Sequence, residues 1–291
     1  MAQPRIAAFA RGANGTMAPE RIITGGATKM SRTVHGIAYD PVQDEVYVTN
    51  ALADAVLVFR GGAEGPAPPV RTIQGPCTGM ENPHAISLDL AHREILVASL
   101  SARSIAIFPM EGNGNVTPKR YIKGPRTGLG HTVGLGVDPG TNVLVVANAE
   151  DILFFDRLAS GDVAPIGQIK GEHTGIRDEP WELQIYKGKI FLAASNHLHL
   201  NLYSQVTLKP EYSHGDAKIP DDPWLNPQLG FIGVWNVGDR GDVPPRVKIG
   251  GPFSELVHPT GLALNPVDGE IYVTDSIRNS LFSFLVPELL K

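Results

Sequence analysis

Residues 35–59 read HGIAYDPVQDEVYVTNALADAVLVF, and residues 84–108 read HAISLDLAHREILVASLSARSIAIF, the same pattern 49 residues later. A third copy, VGLGVDPGTNVLVVANAEDILFF, starts at Val133, again 49 residues on. WELQIYKGKIFLAAS at Trp181 and TGLALNPVDGEIYVTDSIRNSLFSF at Thr260 supply two more. Self-similarity at such a period is the mark of a repeat architecture, and each copy must be one structural unit.

Each copy divides into short strands rich in Val, Ile and Phe, separated by Gly, Pro, Asn and Asp. Strand A is GIAYD, GLGVD or GLALN; strand B is EVYVTN, EILVAS, KIFLAAS or EIYVTD; strand C is AVLVF, SIAIF or ILFF. Strand D follows a Gly/Pro link, as in VRTIQG, KRYIKG and IGQIKG. Four antiparallel strands repeated about an axis are the blades of a β-propeller. The sequence therefore predicts a single all-β propeller over 1–291, with five blades by the count of A strands. A sixth C strand leaves six blades as the alternative. The N-terminal RIAAFARGANGTMAPERIITGG matches AVLVFRGGAEGPAPPVRTIQGP, so it reads as strand C, link and strand D. The last copy lacks a D strand, and the N-terminal D strand is expected to complete that blade.

Composition agrees. The 291 residues include 32 Gly and 24 Pro, about a fifth of the chain against about 12 % on average. They recur at intervals, which indicates turns. The net charge of −5 disfavours nucleic acid as a partner. One cysteine, Cys77, excludes an intrachain disulfide framework. No apolar run is long enough for a membrane span. The start MAQPRIAAFARG lacks the apolar region of a signal peptide, so the expected setting is cytoplasmic as written, or secreted with a leader removed.

Several recurring features read as structural. The loops GGATKM (25–30), GPCTGM (75–80), GPRTGL (124–129) and GEHTGI (171–176) lead into strands, so a D-to-A turn with Thr bonding its own backbone fits better than a phosphate cradle. Asp40, Asp89, Asp138 and Asn265 fit Asx turns after strand A. Arg21, Arg71, Arg120 and Arg246 fit a solvated or inter-blade role on strand D.

The candidate site lies where D-to-A and B-to-C connections surround the expected channel mouth. His35 and His84 share one repeat position at the start of strand A, and His131 and His258 each lie two residues before it. The corresponding residues of the other copies are Val133, Trp181 and Thr260. The B-to-C loops carry Asn50, Asn148 and Asp275. The long insertion over 196–230 holds His197 and His199 and reads as a cap over the mouth. His35, His84, Asn50, Asn148, Trp181, His197, His199 and Asp275 are thus the candidate binding residues. Imidazole suits a transition metal. His35 and His84 are accordingly candidate ligands of one divalent metal ion, with His131, His258 or Glu182 as a further ligand or general base. The expected partner is a small molecule or a protein at the mouth. No nucleophile motif such as Gly-x-Ser-x-Gly is present.

The strands VYVTN (46–50) and IYVTD (271–275), with PTGLAL (259–264), resemble the NHL and YVTN repeat families, whose members include enzymes, sensors and binding modules. Among propellers, the gluconolactonase family places metal-binding Asn and Asp at the start of A strands, and virginiamycin B lyases use His and Glu around the mouth. His35 and His84 look similar to those positions. That resemblance implies, as the alternative to ligand or partner binding, a metal-dependent lyase or hydrolase acting on a lactone or ester-like substrate. Val133, Trp181 and Thr260 are poor ligands, and Glu182 sits one residue out of register.

Overall fold

A computed structural model describes residues 4–176, 179–195 and 230–291. The pair β1 (Arg5–Ala8) and β2 (Arg21–Thr24) comes first. The first blade is the meander β3 (Val34–Asp40), β4 (Glu45–Asn50), β5 (Ala55–Arg60) and β6 (Arg71–Gln74). The second is β7 (Pro83–Asp89), β8 (Glu94–Ser99), β9 (Ser104–Pro109) and β10 (Arg120–Lys123). The third is β11 (Gly134–Asp138), β12 (Val143–Ala147), β13 (Ile152–Asp156) and β14 (Gly167–Ile169). The fourth is β15 (Glu179–Tyr186), β16 (Lys189–Ser195), β17 (Gly230–Asn236) and β18 (Val247–Gly250). The last is β19 (Pro259–Asn265), β20 (Glu270–Asp275) and β21 (Ser280–Leu285). The fold is a five-blade β-propeller with little helix.

One compact unit comprises Met1–Leu144 with Phe155–Ile166, and the other Val145–Phe154 with Gly167–Lys291. Strands B and C of the first two blades are buried on both faces, which is why they read as unbroken apolar runs rather than alternating ones. In the first unit Ile86 packs with Tyr47, Val56, Val58, Ile95 and Phe108. In the second, Phe191, Ile232, Leu262, Ile271 and Val273 form a separate core.

Polar residues at fixed repeat positions hold neighbouring repeats together. Isolated parallel bridges join strand D of one repeat to the link of the next at Ile23–Gly65, Ile73–Gly114, Ile122–Gly161 and Ile169–Gly241. Asn115, Asp162 and Asp242, each just after that link glycine, accept the backbone N–H of Cys77, Arg126 and His173 at 2.7 Å. The threonine turns form as the sequence indicates: Thr28, Thr78, Thr127 and Thr174 each donate to a glycine carbonyl three residues back at 2.7 Å. Asp40, Asp89 and Asp138 accept backbone N–H groups two or three residues on, as Asx turns require. Two of the strand D arginines, Arg71 and Arg120, are neither free nor purely inter-blade. Arg71 pairs with Glu45 at 2.7 Å and Arg120 with Glu94 at 2.5 Å, both across their own blade. Arg71 also reaches the Met110 carbonyl of the next blade at 3.3 Å. Burial raises the Tyr47 hydroxyl in this network to about 12.

β2 pairs with β1, from Arg5–Thr24 to Ala8–Arg21, and the last sheet ends at β21. The N-terminal piece thus forms a strand C and a strand D in matching register, as the sequence indicates. The surplus C strand of the sequence is β1.

The first two A strands approach so closely that Gly36 has no room for a side chain. A Cβ there would lie 2.8 Å from the His84 carbonyl oxygen and 2.9 Å from the Ile86 nitrogen. Gly36→Ala is predicted to cost about 1–3 kcal/mol, as overpacking does. Gly12→Ala, with nothing within 4 Å, should leave stability unchanged. Urea unfolding of the two variants checks both.

Candidate functional site

The residues singled out at the start of strand A sit at β-bulges. Register slips by one residue between Val34 and Ile37, between Pro83 and Ala85, between Pro180 and Glu182, and between Pro259 and Gly261. The residues caught in these slips are His35 with Gly36, His84, Trp181 and Thr260. A bulge breaks the alternation of the strand and re-aims one side chain. The sequence signal was available: a small residue, Gly36, Ala85 or Gly261, follows the bulged position in three of the four. In the first blade the bulge is fixed by Thr49. The Gly36 N–H donates to its Oγ1 at 2.8 Å, and that hydroxyl donates to the His84 carbonyl at 2.9 Å.

In the first unit this geometry gathers three imidazoles. The rings of His35 and His84 have centroids 3.7 Å apart at 30°, and those of His84 and His131 are 6.1 Å apart at 53°. His84 is 8 % exposed, His131 is half-buried, and His35 is the most open. Burial, then the charge that His35 and His131 would carry, lowers His84 to about 3. Loss of water around the ring, then His131, also lowers His35. Both rings are therefore neutral at physiological pH. Each neutral imidazole offers one N–H donor and one lone pair. The cluster can hydrogen-bond a polar ligand or coordinate a metal ion through nitrogen.

In the second unit Trp181 and His258 meet edge to face, with ring centroids 5.3 Å apart. His258 Nδ1 lies 2.7 Å from the Ser276 hydroxyl. Glu182 is half-buried, and its Oε1 accepts the Leu183 N–H at 3.1 Å. Burial pushes its carboxyl up to about 8.

Of the other candidates, Asn50 and Asp275 bind backbone, and Asn148 binds a neighbouring side chain. Asn50 is buried, accepts the Ser31 N–H at 2.8 Å and donates to the Lys29 carbonyl at 2.9 Å. Asp275 is buried and accepts the N–H groups of Val257 and His258 at 2.7 Å, and those of Ile277 and Arg278 at 3.0 and 2.9 Å. Asn148 donates to Asp151 at 3.0 Å. Each of these residues ties a B-to-C corner together, a role that the repeat position alone did not distinguish from ligand contact. His197 and His199, and residues 196–229 of the expected cap, lie outside the described residues. Among the described residues, no group of three or more His, Cys, Asp or Glu side chains is arranged to hold a metal ion.

The comparisons with known proteins bear on the fold. The chain is similar to the WD40 β-propeller domain of Doa1, with a TM-score of 0.53, 12 % identity, and coverage of 92 % of this chain and 74 % of that one. It is also similar to the hydrazine synthase of Kuenenia stuttgartiensis, with a TM-score of 0.51, 10 % identity, and coverage of 82 % of this chain and 54 % of that one. A computationally designed protein, Ika8, matches at a TM-score of 0.45 and 12 % identity, over 87 % of this chain and 62 % of that one. This chain thus spans less than two thirds of the length of the last two. No family model and no curated protein matches the sequence. The class defined is the β-propeller. No helix among the described residues is long and apolar enough to cross a membrane.

The raised Glu182 carboxyl has a signed consequence. An unfolded carboxyl titrates near 4.5, so between there and about 8 the folded chain holds a proton that the unfolded chain has lost. Stability contributed by this group is full below that window and falls as pH rises through it. Glu182→Gln should therefore stabilise the protein at pH 9 and change it little at pH 4, measured by urea unfolding at the two pH values.

Proposed function

We propose that this chain is a binding propeller that receives a small molecule or a side chain of a protein partner at the imidazole cluster of His35, His84 and His131. The observation that carries the reading is the convergence of three imidazoles from the starts of three successive A strands, with His35 and His84 held neutral. The neutral rings of His35 and His84 present donors and lone pairs without the repulsion that two charged rings so close would suffer, so they suit a ligand bearing hydroxyl, amide or carboxylate groups. The scaffold is rigid around them, since Thr49 and Gly36 fix the first two strands against each other. Propellers serve as binding and scaffolding modules, in keeping with this reading. The YVTN-like strands favour the NHL/YVTN families as the repeat type.

A second reading is a metal-dependent lyase or hydrolase acting on a lactone or ester-like substrate. It is favoured by the same neutral rings, because a metal takes the deprotonated imidazole nitrogen. The fit is incomplete. His35 and His84 supply two nitrogens, and no described side chain completes a three-ligand group. No catalytic step is derived through a metal.

Ligand-observed NMR at pH 7.5, with a library of small hydroxyl-, amide- and carboxylate-bearing compounds, tests the binding reading. Compounds that bind are expected to lose about tenfold or more in affinity on His35→Ala/His84→Ala, equivalent to one or two hydrogen bonds. An undiminished set of binders in the double variant would contradict it. Elemental analysis of untagged protein after incubation with zinc, nickel or copper decides the metal reading. Less than about a tenth of an equivalent retained would end it.

A further inference from the structure

The corner from strand B to strand C carries the same main-chain hydrogen bond in the first, second and last blades. The N–H of Ala51 donates to the Thr33 carbonyl at 3.3 Å, that of Leu100 to the Asn82 carbonyl at 3.0 Å, and that of Ser276 to the His258 carbonyl at 3.1 Å. The corner is thus closed by backbone, whatever side chains stand there. Ala51 and Leu100 carry no hydroxyl. In the last blade the two positions hold a serine and a histidine, and their side chains meet, with the hydroxyl 2.7 Å from His258 Nδ1. This contact is an addition that the fold does not require.

The pair is held from both sides. Buried Asp275 accepts the His258 N–H at 2.7 Å through Oδ2, and the N–H groups of Ile277 and Arg278 at 3.0 and 2.9 Å through Oδ1. One carboxylate therefore fixes the chain at the histidine and just beyond the serine. The imidazole stands edge to face against Trp181, with ring centroids 5.3 Å apart. Ser276 is exposed and His258 half-buried, so the hydroxyl is open to solvent with the base beside it. The other acceptor of the hydroxyl, the His258 carbonyl, is at 3.5 Å, which leaves Nδ1 the nearer. A hydroxyl hydrogen-bonded to an imidazole that a further group orients is the arrangement of an activated nucleophile. All of these residues belong to the second unit.

We propose that Ser276 is a nucleophile with His258 as its general base, and that it takes acyl groups carried on a good leaving group, such as aryl esters. Oγ attacks the acyl carbon while its proton passes to Nδ1. The bond from that carbon to the ester oxygen breaks, and the departing phenol oxygen takes the proton, leaving O-acyl-Ser276 and a neutral imidazole. Hydrogen bonding sets the leaving group. The Ser276 N–H is committed to His258, and those of Ile277 and Arg278 to Asp275, so the main-chain donors nearest the hydroxyl in sequence are not offered to an oxyanion. Such a donor is worth about a hundredfold or more in rate, so an amide or alkyl ester stays inert without one. The site shares no residue with the cluster of His35, His84 and His131, and its step needs no metal.

The probes are a biotinylated fluorophosphonate and p-nitrophenyl acetate, used on the full chain with EDTA present. With the first, the Oγ–P bond forms as fluoride leaves, and peptide mapping by mass spectrometry locates the adduct. Ser276 should be labelled about a hundredfold faster than Ser101, which is exposed on the corresponding loop of the second blade. His258→Gln should slow labelling of Ser276 by about the same factor, as loss of a general base does. Release of p-nitrophenolate from the ester should fall in Ser276→Ala. That variant removes an exposed hydroxyl and keeps the backbone bond of the corner, so its unfolding midpoint should match the parent's. Equal labelling of Ser276 and Ser101, labelling undiminished by His258→Gln, or release unchanged by Ser276→Ala would each overturn the proposal.

Discussion

The first two blades meet at a point where there is no space left to fill. The backbone of Gly36 lies so close to His84 and Ile86 that one added carbon would overlap a carbonyl oxygen. The Thr49 hydroxyl occupies what remains, accepting from Gly36 and donating to His84. Each main-chain group engaged there is buried, and a buried polar group without a partner is expensive. Close approach and full hydrogen bonding therefore enforce one another. Their joint consequence is that His35, next to Gly36, and His84, whose carbonyl makes the contact, have adjacent rings.

Burial at that contact also decides the chemistry of the rings. Charging His84 would require ionising a nearly enclosed imidazole beside two others, and burial is the largest cause of its depressed titration. A structural contact thus fixes the protonation state of a candidate site. The polar residues of the B-to-C corners are committed elsewhere: Asn50 and Asp275 bind backbone on the adjoining D-to-A loops. The three imidazoles are therefore what the first unit offers as a candidate site.

Much of this was legible in the sequence because repetition converts a weak local signal into a strong one. A single VYVTN segment is an ordinary strand; five such segments, set in copies of which the first four start 48 or 49 residues apart, and four of the five preceded by an Asx residue, define blades. The Thr and Asx turns were readable because their hydrogen bonds are local, spanning two or three residues. The Glu45–Arg71 and Glu94–Arg120 pairs were not read, although each spans 26 residues at fixed repeat positions. An ion pair depends on how far apart strands B and D lie within a blade, which one-dimensional periodicity does not encode. The bulges escaped for the same reason. They show only as small residues after His35, His84 and Thr260.

The claim that the close contact of successive A strands holds the imidazoles of His35 and His84 neutral is tested most directly by long-range 1H–15N NMR of the histidine rings between pH 8 and pH 4. The account predicts that His84 keeps the nitrogen shifts of a single neutral tautomer throughout that range, with His35 titrating below the ordinary 6.5. Two independently titrating rings with midpoints near 6.5 would show them solvated and apart, and would contradict the account.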